Sequence, residues 1–377
     1  MKVRSFLLSA LAASMTFVAC DNNDNEMGQL DNTPKSVSIN LPNVFAGTRS
    51  AGNPIADQSE VALKDLQVFF TDGNTLYKGK TTEGTEVEHY FSTKTEYDDR
   101  KDKVFHFLPH EVNKVIVVGN SGKKLTATTY AQLKTELAIA EQQDPSDLDL
   151  YREEDLTSVT GADKFGHPLY EVNVELEPRV SRIEIGSFKY NATEEGVDRV
   201  YKSIEVQQVM INNYYKKADL QEGTASEPSR EETTDDNIFA LFEKSTGWFS
   251  DKFVKEIQNS ATELSIVTLN EAAQFEHTYA SENVRPVYHF FPKSETIATE
   301  NHPQVLVKMI GEKADGTKVP LYLIANKFTP VVTTDMAMIY VMDFEFDDND
   351  LKNPQKCVQV TVSVKSWRVV PVTPDFN

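Results

Sequence analysis

The chain has 377 residues, enough for two domains of ordinary size, and its 40% hydrophobic and 25% charged residues are those of a folded protein, not a disordered one. A formal net charge of −20 argues against nucleic acid and anionic lipid surfaces as partners. With only Cys20 and Cys357 present, no disulfide framework supports the fold, so stability has to come from apolar cores.

In chain order, Lys2 and Arg4 precede an apolar run from Phe6 to Val18, too short to span a membrane as a helix and read as a secretory signal over residues 1–19. The run closes on Phe17-Val18-Ala19-Cys20, which resembles a bacterial lipobox with Phe in place of the usual Leu. Cys20 would then be the lipidated first residue; the alternative is ordinary cleavage near Ala19 and a free thiol. A polar tether follows to Pro34, and then Val37, Ile39 and Leu41 alternate with Ser38 and Asn40 as a first strand.

Ala46-Gly47-Thr48-Arg49-Ser50-Ala51-Gly52-Asn53-Pro54 reads as an exposed loop in which Arg49 is the only basic residue. It is either a plain linker or a site of proteolysis. Cutting between Arg49 and Ser50 would release the tether together with the first strand and leave an apolar groove behind.

Leu66 to Phe70 reads as a strand, turned by Thr71-Asp72-Gly73-Asn74 toward Leu76 and Tyr77. Val104 to Leu108 reads as a further strand, and Val115 to Val118 as a central one because it is apolar at every position. Thr129 to Gln143 has helical spacing through Tyr130, Leu133, Leu137 and Ala140. The acidic region Asp144 to His167 reads as loop, and Leu169 to Leu176 as the closing strand of a first domain, residues 50–177.

The second domain, residues 178–377, opens with a strand at Val180 to Ile185. Another strand lies within Val200 to Tyr215, a solvent loop over Asp219 to Asp236 and a short helix over Asn237 to Lys244. Pro286 to Phe291, Gln304 to Ile310, Leu321 to Ala325 and Ala337 to Phe346 are strand-like, with Asp315-Gly316 as a turn. The expected fold is mainly β, two tandem β-sandwiches with short helical insertions.

The tail from Cys357 to Asn377 is a strand-like segment at a free terminus. Val358, Val360, Val362 and Val364 alternate with polar residues; then the apolar parity shifts by one through Trp367, Val369, Val370, Val372 and Phe376. Such a segment is either paired inside its own domain or supplied to another molecule.

No catalytic motif stands out. There is no Gly-x-Ser-x-Gly, no phosphate loop and no His-Glu-x-x-His, and no site or cofactor marks an enzyme. His106 and His110 sit at a strand end, and Asp343, Glu345, Asp347, Asp348 and Asp350 read as a solvated strand end; neither predicts a metal site.

Several short motifs in order resemble the FimA-type fimbrillins, the type V pilus subunits of Bacteroides-like bacteria. They are Cys20 in its lipobox, Thr48-Arg49, Val68-Phe69-Phe70-Thr71-Asp72-Gly73 and Val115-Ile116-Val117-Val118-Gly119-Asn120. Arg179-Val180-Ser181-Arg182-Ile183-Glu184, His289-Phe290-Phe291-Pro292 and Trp367 in a Val/Pro tail complete the set. The resemblance implies two transthyretin-like β-sandwich domains, export as an outer-membrane lipoprotein precursor, and maturation by an Arg-specific, trypsin-like protease at Arg49, with Lys35 as an alternative cut. It further implies that the segment 20–49 leaves, and that Val37, Ile39 and Leu41 are replaced by the tail (about residues 357–377) of a neighbouring subunit. The implied partners are other shaft, anchor and tip subunits, head to tail, and host or bacterial surface receptors. The competing expectation is a lipid-anchored surface protein that binds a glycan or host protein without polymerising.

Overall fold

The computed structural model describes residues 33–41, 60–61, 63–143, 147–234, 236–242, 267–279, 287–292, 303–325, 328–329, 336–352, 360–366 and 368–369. Within them the protein is mainly β, with a few short helices, as the strand-rich sequence predicts.

The first part of the chain builds two sheets around strands β1 (Ser36–Asn40), β2 (Leu66–Thr71), β3 (Lys114–Gly119), β4 (Leu150–Asp155), β5 (Thr157–Ala162) and β6 (Pro168–Asn173), with helix α1 (Lys94–Val104) between β2 and β3. The larger sheet runs Glu177–Pro178, β4, β3, β2, Leu76–Tyr77; the smaller runs β1, β6, β5. β3 lies between β2 and β4, antiparallel to both, which is why its apolar run is continuous: it is buried on both faces. β2 is buried at every position because the chain at residues 121–130 crosses its outer face, where the Gln67 amide donates to the Leu125 carbonyl (2.9 Å) and accepts from its N–H (2.8 Å).

The later strands are β7 (Ser181–Tyr190), β8 (Tyr201–Asn212), β9 (Tyr214–Asp219), β10 (Gln304–Lys313), β11 (Lys318–Ala325), β12 (Met338–Phe346) and β13 (Val360–Ser366). One sheet centres on β7, parallel to β12, which in turn pairs antiparallel with β13. The other runs Val267–Asn270, β8, β10, β11. The β10–β11 turn contains Gly316 at φ +84°, and the Asp315 carboxylate accepts from the Thr317 N–H at 2.9 Å. Helix α2 (Ile238–Phe242) forms as expected within Asn237 to Lys244 and buries Ile238, Leu241 and Phe242 against Met210, Leu306, Tyr322 and Ile324. A single apolar core otherwise runs from Val37 to Val360.

Four local expectations are corrected. Thr129 to Gln143 is not one helix: it is a 3₁₀ turn at Tyr130–Leu133, a strand at Glu136–Ala138 and a second 3₁₀ turn at Ile139–Glu141. Pairing of Glu136–Ala138 with β9 overrides the helical spacing. Asp144 to His167 holds β4 and β5 instead of loop. β4 is charged beyond Leu150 and Tyr151, yet its backbone completes the edge of β3, and Glu153 accepts from Lys114 Nζ and from the Tyr130 hydroxyl, both at 2.6 Å. Val104 to Leu108 is not a strand; Val104 ends α1 and Phe107 adopts a left-handed φ of 53°. Within Asp219 to Asp236, Ala225–Ser229 pairs with β9.

Candidate functional site

β1 is held differently along its two edges. One edge of its backbone lies parallel to β6, from Ser36 opposite Leu169 to Asn40 opposite Asn173. Its other edge meets the irregular segment after α1: the Lys35 N–H donates to the Leu108 carbonyl (2.7 Å), the Leu108 N–H to the Lys35 carbonyl (3.0 Å) and the Val37 N–H to the Phe105 carbonyl (3.0 Å). Phe107, between those bonded residues, takes the left-handed backbone that few non-glycine residues adopt.

Side chains alternate as the sequence predicts. Val37 and Ile39 are buried in the main core, Ser38 and Asn40 are exposed, and Leu41 is half-buried against that core. Burying Val37 and Ile39 stabilises the strand by roughly 1.5–3 kcal/mol each. From α1, Tyr97 reaches back and its hydroxyl donates to the Ile39 carbonyl at 2.9 Å. α1 itself is nearly all polar; Thr93 caps it by accepting from the Glu96 N–H (3.1 Å), and its buried residues Tyr97 and Val104 lie two turns apart on one face.

A polar cluster closes the start of the strand. The Ser36 hydroxyl donates to Asp163 Oδ2 at 2.6 Å and faces His106 Nδ1 at 2.9 Å. Asp163 also accepts from the Phe165 and His167 N–H groups at 2.8 and 2.9 Å, and His167 Nδ1 stands 3.2 Å from it. Burial alone would push the Asp163 carboxyl up; the Ser36 hydroxyl and those backbone donors outweigh it and hold the group down at about 2. The rings of Phe107, Phe165 and His167 pack beside this cluster, Phe107 lying 5.0 Å from Phe165 and 4.8 Å from His167. No spacing in the sequence ties Ser36 to Asp163, 127 positions away; only the i, i+4 pair Asp163 and His167 was locally visible.

The remaining expected site residues are dispersed. Cys20, Arg49 and Ser50 lie outside the described residues, as do Cys357, Val358, Trp367, Val370, Val372 and Phe376. Lys35 is engaged: its Nζ donates to the Val112 carbonyl at 2.8 Å and sits 4.5 Å above the Tyr170 ring. Val360, Val362 and Val364 belong to β13, paired with β12 from Phe344 opposite Val360 to Met338 opposite Ser366; Val360 is buried. Val369 lies in a two-residue pairing, Arg368–Val369 parallel to Glu60–Val61. Among the described residues no three His, Cys, Asp or Glu side chains are arranged to hold a metal. The acidic run at Asp343 to Asp350 is not wholly a solvated strand end, because Asp348 is buried, accepts from the Tyr190 hydroxyl and caps the Val200 N–H at 3.0 Å.

Two further motifs prove to be joints. The Arg179 guanidinium donates to the Leu220 and Gln221 carbonyls and lies 4.7 Å over the Tyr151 ring. Arg182 and Glu184 form a buried ion pair at 2.6 Å. His289 Nδ1 meets the Gln142 carbonyl at 2.7 Å, its N–H donates to the Gln143 side chain at 3.0 Å, and burial pushes its imidazole down to about 3, reinforced by Arg182. The His289 contacts tie Gln142 and Gln143 to Val287–Phe290, which pairs with β7.

Among solved structures, 90% of the chain aligns with 99% of the fimbrilin FimA of Porphyromonas gingivalis W83, at a TM-score of 0.51 and 11% identity. The chain has a fimbrilin fold. Candidate cell adhesion proteins from Parabacteroides distasonis ATCC 8503 (13% identity, 90% of this chain, 98% of that one, TM-score 0.49) and Bacteroides eggerthii DSM 20697 (13%, 91%, 98%, 0.47) align over similar lengths. No family model matches the sequence, and no curated protein matches it.

Proposed function

We propose that this protein is a structural subunit of a cell-surface pilus that supports adhesion and colonisation. In this reading it is exported as a lipoprotein through Cys20, is cut between Arg49 and Ser50, and polymerises when the tail of one copy fills the groove of the next. The fimbrilin fold supports the reading, and one observation carries it. β1 is a short strand seated between β6 and residues 105–108, burying Val37 and Ile39 in the core, and Arg49 follows it nine residues later in the sequence. Loss of β1 exposes apolar surface and unpaired backbone on both sides, which a strand from another molecule would cover. Head-to-tail contacts of that kind do not close on themselves and give a filament.

The chain then divides into a signal over 1–19, a removed segment over 20–49, domains over 50–177 and 178–377, and a donor tail. Because Val360–Ser366 is paired within its own sheet and Val369 with Val61, the donor narrows to Trp367, Val370, Val372 and Phe376. Partners are further copies, anchor and tip subunits, a trypsin-like protease and surface receptors.

Deleting Val370 to Asn377 is the direct test. The expected result is a folded, secreted monomer with no SDS-resistant ladder in unheated samples; normal filaments from that variant would sink the proposal. Arg49→Ala is expected to trap a lipidated precursor, read from the N-terminal sequence of protein recovered from cells, whereas wild type starts at Ser50.

A further inference from the structure

We infer that the groove of β1 selects for a hydroxyl on the incoming strand, and that Thr373 of a second copy supplies it at the position Ser36 occupies here. This rests on the pilus reading, in which a neighbour's tail replaces β1.

Ser36 is the one polar side chain of β1 that is buried, at 1% exposure. The Asp163 carboxylate, with its side chain 5% exposed, is held ionised and can only accept, so the residue facing it has to donate. His106 Nε2 faces the Asp102 carbonyl at 3.1 Å, and its Nδ1 points at the same Ser36 oxygen. A hydroxyl supplies the donor that Asp163 needs, and its oxygen lies 2.9 Å from His106 Nδ1. Alanine, valine or proline at this position leaves a buried carboxylate one donor short, a larger penalty than the mean worth of a hydrogen bond.

The rest of β1 sets the register. From Ser36 onward it reads hydroxyl, apolar, polar, apolar, Asn, and the terminal Asn40 donates from Nδ2 to Asn173 Oδ1 at 2.8 Å. From the end of β13 onward, only Ser366 and Thr373 carry aliphatic hydroxyls. Ser366 is already paired, opposite Met338, and using it would begin to unzip β13. Thr373-Pro374-Asp375-Phe376-Asn377 matches Ser36-Val37-Ser38-Ile39-Asn40 position by position, with Asn377 standing where Asn40 meets Asn173. Pro374 lacks the N–H with which Val37 reaches Phe105, so the replacement strand loses that bond; Phe376 brings a larger apolar side chain than Ile39 in exchange. Insertion in this register runs parallel to β6, as β1 does.

The test uses the full chain under polymerising conditions. Thr373→Val is expected to lower the yield of SDS-resistant polymer about tenfold, while Thr373→Ser stays within about twofold of wild type, since one charge-assisted hydrogen bond is at stake. Register is read separately by cysteine pairs. Asn173→Cys with Asn377→Cys is expected to give a reducible intermolecular ladder in boiled samples, whereas Asn173→Cys with Val370→Cys, the pair the Ser366 register would join, gives none. Asn173→Cys alone controls for the native Cys20 and Cys357. Wild-type polymer yield from Thr373→Val, or preferential linking through Val370→Cys, overturns the inference. If Val370 to Asn377 can be deleted without loss of polymer, the pilus reading itself fails; if the deletion abolishes polymer and Thr373→Val does not lower it, only the hydroxyl rule fails.

Discussion

β1 and β13 are alike as sequence and unlike as structure. Both alternate valine or isoleucine with serine, threonine or other polar residues, and both lie near an end of the chain. β13 pairs with β12 over its whole seven-residue length and has Phe328–Thr329 on its other side. β1 has five residues, one regular neighbour in β6, and on its other edge an irregular segment bent around Phe107. Composition does not tell a strand paired along both edges from one with a single regular neighbour; the surrounding segments decide. Both strands contribute to the same core, so the contrast predicts graded consequences when each is disturbed.

The largest effect is expected at β13. Val360→Asp buries a charge with no partner and should cost more than about 4 kcal/mol, enough to abolish soluble, protease-resistant protein. Retention of a cooperative melt near the wild-type temperature would show β13 to be as dispensable as its composition allows. At β1 the effects are smaller. Ser36→Ala leaves Asp163 a donor short and should destabilise the protein by about 2 kcal/mol, read by chemical denaturation. Because the folded Asp163 carboxyl is depressed to about 2 from its ordinary 3.8, the stability it contributes is present above pH 3.8 and is lost as pH falls toward 2. Protection of the Val37 amide against exchange should therefore fall over that window relative to the Val117 amide of β3, and the fall should be blunted in Asp163→Asn.

Tyr97→Phe removes only the hydroxyl bond to Ile39 and should cost about 1 kcal/mol, with faster proteolysis of the first strand as its sensitive readout. The smallest effect belongs to the tail. Removing residues 370–377 should move the monomer's melting temperature by no more than about 2 °C, because it leaves β13 whole. A large loss of stability would place the tail inside the subunit's own core and erase the contrast between the two chain ends.

Much of this architecture was legible in the sequence, and the failures have common causes. β3 was readable because a strand buried on both faces needs apolar residues throughout, and β10, β11 and β12 because each holds an apolar run, such as Leu321 to Ala325, of the length a strand needs. β4 was invisible because its stability comes from pairing with β3 and from ion pairs, neither of which leaves an apolar period. α1 was missed for want of an amphipathic stripe, since two buried side chains in eleven residues hardly register. The helix expected over Thr129 to Gln143 failed because β9 recruits its middle as a strand.

For the candidate site, the alternation of Val37, Ile39 and Leu41 was visible in the sequence, and so was the exposed composition around Arg49. The cluster of Ser36, His106 and Asp163 was not, for its members lie 70 and 127 positions apart. By itself the sequence determined which segments could be strands, because side-chain period and turn residues are local properties of the chain. Only the tertiary structure decided that β13 pairs with β12 along its whole length while β1 has β6 on one edge and an irregular segment on the other, and which hydroxyl meets which carboxylate. Those outcomes depend on backbone hydrogen bonds and buried polar partners from distant parts of the chain, and such pairings leave no period in the sequence.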